Sequence, residues 1–126
     1  MKEHIDTGLP DLGQPFSWAI RAGRTLYTTH GPVRQDGTVE TGPIADQAHL
    51  TFSNLELALK AAGMGMHDVA QVLIYLTNVV DMRIVDEVYR LYFDAPYPNR
   101  STVGVSALVV PGMAIEIVAY AQTDNK

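Results

Sequence analysis

The sequence predicts an α+β fold: a single mixed β-sheet with two helices packed on one face, in the order β-β-α-β-α-β-β. Three observations lead there. Ala48, Phe52, Leu55, Leu59 and Ala62 recur at steps of three and four, which puts them on one face of a helix from about Ile44 to Ala62. Val85, Val88, Tyr89 and Tyr92 do the same for a second helix from Met82 to Phe93. Around these lie short runs rich in Val, Ile, Thr and Tyr, bounded by Gly and Pro, which read as strands.

Taken in order, residues 1 to 14 read as an arm with turns. Phe16 to Arg21 and Thr25 to Thr29 read as two strands around the tight-turn signal Ala22-Gly23. Gly31-Pro32, Asp36-Gly37 and Thr41-Gly42-Pro43 punctuate a loop region. Pro43 suits the first turn of the first helix, and Gly63 stops it. Met64 and Met66 beyond it read as core filler. Asp68 to Asn78 carries Val69, Val72, Leu73, Ile74 and Leu76, the pattern of a central strand buried on both faces. Asp81 is the expected N-cap of the second helix. Ala95-Pro96-Tyr97-Pro98-Asn99 cannot be regular, because proline breaks both helix and ladder. Thr102 to Leu108 and Met113 to Gln122 then read as strands around a turn at Val109 to Gly112. Val105, Ile115, Ile117 and their neighbours supply apolar groups in both directions, so with both helices on one face the other face needs cover. A homo-oligomer follows on physical grounds.

The 126 residues suit one domain spanning positions 1–126. They are 47% hydrophobic and 18% charged, ordinary for a globular chain. A net charge of −5 with scattered basic residues disfavours nucleic-acid binding, which needs clustered Lys and Arg. Without cysteine, disulfides, thiolate catalysis and zinc-thiolate sites are excluded. No apolar run approaches the roughly 20 residues of a membrane span, and the first 14 residues lack a signal-peptide core. The expected location is cytoplasmic, with no membrane partner.

Arg100 and Glu116 are the main chemical candidates. Arg100 follows the proline-stiffened turn, and its guanidinium can grip a carboxylate through two parallel hydrogen bonds. Glu116 interrupts the apolar run Met113-Ala114-Ile115-Glu116-Ile117-Val118-Ala119, where a carboxylate is costly unless paired or used. If their strands form a hairpin, the two face each other near its open end. A structural salt bridge, or a solvent-facing glutamate, is the competing reading. Of the four histidines, His4, His49 and His67 read as arm or surface residues, and none has metal-ligand spacing. His30, at a strand end, is a candidate to line a site. Ser17, Ser53, Ser101 and Ser106 lack a nucleophile elbow, and no glycine run forms a phosphate cradle. Phe16, Trp18 and Tyr27 read as an aromatic wall or as core.

Pro98-Asn99-Arg100-Ser101-Thr102-Val103 followed by Glu116-Ile117-Val118-Ala119 resembles the signature of the Rid/YjgF family, also labelled endoribonuclease L-PSP. Gln14-Pro15-Phe16-Ser17, Gln47, Asn54, Ala61-Ala62-Gly63, Asp68-Val69, Tyr75-Leu76-Thr77, Tyr89 and Phe93 extend the likeness over nearly the whole chain. The resemblance implies a chorismate-mutase-like domain assembled as a homotrimer, with clefts between subunits. It implies hydrolysis of small 2-imino acids to 2-oxo acids and ammonia, without cofactor or metal. In that reading Arg100 holds the substrate carboxylate, and Glu116 positions or activates water. Phe16, Thr29, His30, Gly31 and Thr102 shape the pocket. Four departures stand out: Phe16 replaces a tyrosine, Thr28-Thr29-His30-Gly31-Pro32 a Ser-Gly-Gln-type segment, and Asp86 a common asparagine, and the span from Arg100 to Glu116 is one residue longer. Either Thr28 or Thr29 stands for the serine. Two alternatives remain. One is a divergent member acting on another small carboxylate, aminoacrylate- or aminomuconate-like, for which His30 would add acid–base capacity near neutral pH. The other is a non-catalytic trimer that binds a small carboxylate.

Overall fold

The computed structural model describes residues 1–124. Two helices cover one face of a six-stranded mixed sheet. The elements are β1 (Lys2–His4), β2 (Ala19–Ala22), β3 (Thr25–His30), α1 (Ile44–Ala61), β4 (Val69–Leu76), α2 (Met82–Tyr92), β5 (Asn99–Gly104) and β6 (Ile115–Gln122). The strands lie in the order β1-β2-β3-β6-β4-β5. Every neighbouring pair is antiparallel except β4–β5, which is parallel. No helix among the described residues is long and apolar enough to cross a membrane.

The alternation of each strand decides what faces the helices. Leu26, Thr28 and His30 of β3, Val72, Ile74 and Leu76 of β4, and Ile115, Ile117, Ala119 and Ala121 of β6 are all buried. Against them pack Ala48, Phe52, Leu55, Leu59 and Ala62, the apolar face expected of α1. Each large side chain buried here contributes roughly 1.5–3 kcal/mol. Phe52 lies 5.6 Å from Tyr89, 5.7 Å from Tyr92 and 6.1 Å from Phe93, ring centre to ring centre. That aromatic cluster ties α1 to α2 and sets α2 over the end of β5. After Ala62, Gly63 adopts φ +75°. Its N–H donates to Lys60 O and the Met64 N–H to Leu59 O, which closes the helix with a left-handed turn suited to glycine.

The uncovered face carries Tyr27, Thr29, Leu73, Tyr75, Glu116, Val118 and Tyr120, exposed or half-buried. Tyr27 is 46% exposed and meets Tyr120 edge to face at 5.5 Å. Thus β4 is fully buried on its helix side, while its other side awaits cover.

Four expectations need correction. The N-terminal arm supplies a short edge strand, β1, whose three exposed polar residues gave no apolar signal. The strand predicted from Phe16 begins only at Ala19, because Phe16 to Trp18 belong to the loop before it. Asp81 makes no capping hydrogen bond; Asn78 instead accepts one from the Val80 N–H in the turn before α2. The strand predicted over Thr102–Leu108 ends at Gly104, and β5 does not pair with β6. A ten-residue stretch, 105–114, separates the two strands, and β4 lies between them.

Candidate functional site

The larger of two relevant cavities, about 810 Å³, opens where β3 and β6 give way to their loops. Phe16, Thr29, His30, Gly31 and Glu116 all line it, together with Trp18 and Met113. Phe16 stands edge to face on Trp18 at 4.7 Å, so the loop before β2 supplies an aromatic wall. Trp18 lies parallel to the His30 ring at 6.0 Å. Glu116 is half-buried, and burial raises its carboxyl above the ordinary range. Thr29 and Glu116 sit on the uncovered side of the sheet.

The threonine pair sorts itself by alternation. Thr29 lines the cavity and donates through Oγ1 to Ile117 O at 3.3 Å. Thr28 points into the core and donates to Ala119 O at 3.0 Å. His30 is only 1% exposed, and neither ring nitrogen has a hydrogen-bond partner among the described residues. Burial lowers its pKa to about 3, so the ring is neutral at physiological pH. The acid–base capacity expected of His30 near neutral pH is therefore absent. A neutral, half-apolar wall takes its place.

Two polar residues of α1 hold the cavity's loops. The Gln47 amide donates to Gly42 O at 3.1 Å and to Gly112 O at 3.0 Å, and its Oε1 accepts from the Ala114 N–H at 2.8 Å. Asn54 donates to Gly31 O at 3.1 Å and Val33 O at 2.8 Å. Both side chains are buried. They tie the segment after β3 and the segment before β6 to one rigid helix. Gly31 fits tightly here, since a Cβ would meet the Met113 side chain at 3.3 Å.

Arg100 lies elsewhere. It lines a second cavity of about 340 Å³ with Asp86, Tyr89, Arg90, Tyr97 and Pro98. Its Nη1 is 2.7 Å from Asp86 Oδ1, and its guanidinium carbon sits 4.7 Å from the centre of the Tyr89 ring. Burial pushes the Tyr89 phenol up to about 12, and its hydroxyl has no hydrogen-bond partner among the described residues. Thr102, two residues along the same face, also has a buried hydroxyl without a hydrogen-bond partner among the described residues and lines neither cavity.

The expectation that Arg100 and Glu116 face each other is overturned by register. Arg100 pairs with Val72, and Glu116 pairs with Tyr75, on the same strand β4. Val72 and Tyr75 are an odd number of residues apart, so their side chains project from opposite faces. Arg100 shares the helix side with Val72, and Glu116 shares the uncovered side with Tyr75. Two strand spacings and three residues of rise separate their backbones by roughly 14 Å. Within one chain the two cannot grip one small molecule.

A profile of the endoribonuclease L-PSP family matches residues 9–123. The chain belongs to this family, the Rid/YjgF proteins. Its sequence is 36% identical over 110 residues to a 2-iminobutanoate/2-iminopropanoate deaminase of Dermatophagoides farinae, covering 85% of this chain and 86% of that protein. It is 34% identical over 110 residues to the human protein of that name, covering 85% and 79%. A Rid-family protein of unknown function from Yersinia pestis superposes with a TM-score of 0.91 at 30% identity, covering 98% of this chain and 100% of that one. The family therefore includes imine deaminases, and the two-helix, single-sheet fold is its fold.

Sequence reasoning offered Trp18 as wall or core, and missed Met113, Tyr89 and Tyr97 as lining residues. Apolar and aromatic side chains have no motif that separates cavity from core. Among the described residues, no group of three or more His, Asp or Glu side chains comes together to hold a metal.

Proposed function

We propose that this Rid-family chain hydrolyses small 2-imino or enamine acids to 2-oxo acids and ammonia. The cleft is completed between copies in a homotrimer. Arg100 of one copy holds the substrate carboxylate, and Glu116 of its neighbour handles the attacking water. The observation that carries this reading is the half-buried Glu116, its carboxyl raised by burial, at the wall of a large cavity on the uncovered sheet face. The 2-iminobutanoate/2-iminopropanoate deaminases related to it supply the reaction class.

The chemistry needs little else. An imine carbon is already electrophilic, so the protein has to place it next to one water and move protons. Water attacks the C=N carbon as Glu116 takes a proton. The tetrahedral carbinolamine then collapses, the C–N bond breaks, and the proton leaves with ammonia. A carboxylate whose pKa is raised by burial is a stronger base toward the attacking water than an ordinary glutamate. His30, Thr29 and Gly31 shape the pocket beside Glu116, and Thr102 lies beside Arg100.

The test is a coupled assay. An amino-acid oxidase generates 2-imino acids, and semicarbazide traps what survives. Wild type should clear the imine well ahead of solvent, while Arg100→Ala and Glu116→Ala should each lose at least about 100-fold, the scale of one acid–base group. No clearance by wild type across several imines would defeat the reading. Tight carboxylate binding without turnover would instead favour a non-catalytic binding trimer.

A further inference from the structure

We propose that Asp86 makes the Arg100 clamp selective for zwitterions: ligands that carry a cationic nitrogen on the carbon next to their carboxylate. The inference rests on the reading above, in which Arg100 holds a substrate carboxylate. In the structure Asp86 uses Oδ1 to hold one guanidinium nitrogen, Nη1, at 2.7 Å. The contact is an ion pair and not an aligned hydrogen bond, since Asp86 Oδ1 has no hydrogen-bond partner among the described residues, and no hydrogen bond there occupies the Nη2 and Nε donors of Arg100, which remain for a ligand. Asp86 Oδ2 accepts no hydrogen bond there either. Both side chains keep partial access to solvent, at 28% for Arg100 and 30% for Asp86, and both line the same 340 Å³ cavity.

A carboxylate docking on Arg100 therefore arrives beside a second carboxylate. Because Asp86 offsets the arginine's charge, a simple monoanion gains little from this pair and meets like charge at close range. A 2-iminium acid fares differently. Its cationic nitrogen is one carbon from its carboxylate, within reach of Asp86, so the four charges alternate in sign around the contact. Holding the protonated C=NH2⁺ form also keeps the more electrophilic species in place. Hydrolysis converts C=NH2⁺ and water into C=O and NH4⁺. That puts a carbonyl oxygen, with lone pairs, where the cation had faced Asp86. The same residue that favours substrate thus disfavours the 2-oxo acid product and hastens its release. Arg90, at the exposed rim of the cavity, attracts net negative charge and so weakly favours the monoanion, the opposite preference.

Binding to the full-length protein, followed by calorimetry, separates these roles with two probes of one carbon skeleton. L-alanine stands for the zwitterion and pyruvate for the monoanion. Wild type should bind L-alanine about 10-fold or more tighter than pyruvate, the scale of one local charge contact. Asp86→Asn should bring the two within about 3-fold, chiefly by gaining pyruvate affinity. Asp86→Ser, which also removes the charge, replaces it if the Asn variant fails to fold. Arg90→Ala should weaken pyruvate more than the net-neutral L-alanine and so widen the ratio, the opposite of Asp86→Asn. An unchanged ratio in the folded neutral variant, a wild type that prefers pyruvate, or a wild type that binds neither overturns the proposal. Imine clearance is measured on the same preparation. Turnover with an unchanged ratio defeats the role of Asp86 alone, whereas an alanine preference without turnover defeats only the deaminase reading.

Discussion

Replacing Gln47 by leucine tests whether the cavity's walls are held by α1. The wild-type side chain makes three hydrogen bonds, to Gly42 O, Gly112 O and the Ala114 N–H, from a position that is 1% exposed. Leucine fills a similar volume but leaves those three backbone groups without a partner. Each hydrogen bond contributes about 1 kcal/mol net, and each stranded buried group costs about 1–3 kcal/mol. The three sites are only partly buried, which argues for the lower half of that range, so the expected loss is about 3–4 kcal/mol. Against a typical total of about 5–15 kcal/mol that is a large fraction. Urea unfolding at one fixed protein concentration reads the loss as a lower midpoint with an unchanged slope. The freed segments carry Thr41 and Met113 into the larger cavity, so KM for an imino acid should rise as well. A loss under about 1 kcal/mol would show that the loops hold their own shape, and the reasoning would fail.

Other outcomes follow from the same structure. Glu116 is raised by burial, so its folded state favours the protonated carboxyl, and its contribution to stability is lost as pH rises through the raised value. Glu116→Gln should accordingly gain stability at pH 7 and match wild type in acid, as read by thermal unfolding across pH. His30 behaves oppositely. With its pKa lowered to about 3, stability falls as pH drops from the unfolded value of 6.5 toward 3. His30→Leu should flatten that acid limb and change stability at pH 7 by less than about 1 kcal/mol, since it removes two buried nitrogens that have no partner. A loss well above 2 kcal/mol in urea would mean that the imidazole is bonded after all.

The parts of this fold that were legible in sequence are those where burial imposes a period. Phe52, Leu55 and Leu59 announce α1 because one helix face must be apolar, and Gly63 announces its end because the chain turns left-handed there. β1 was invisible because all three of its residues are exposed. The short stretch after Leu108 resembled a hairpin turn, yet pairing partners are chosen in three dimensions. Once β4 lies between β5 and β6, a difference of three positions on β4 sends Arg100 and Glu116 to opposite faces. Phe16, Thr29, His30, Gly31 and Glu116 did come together, because the ends of the central strands β3 and β6 and the loops beyond them converge at one end of the sheet. The state of His30 was not legible, since burial, and not residue type, decides whether an imidazole titrates near neutral pH.

The central claim, an active site assembled from Arg100 of one copy and Glu116 of the next, is tested most directly by mixing two inactive variants. Arg100→Ala and Glu116→Ala chains are unfolded together in equal amounts, refolded and assayed for imine clearance. In a closed ring each cleft draws its arginine and its glutamate from adjacent chains, so random assembly leaves about one quarter of the clefts intact. Recovery of about 25% of wild-type activity, from parents with almost none, is the predicted result. No recovery from a mixture shown to form mixed oligomers would place the whole site within one chain and contradict the account.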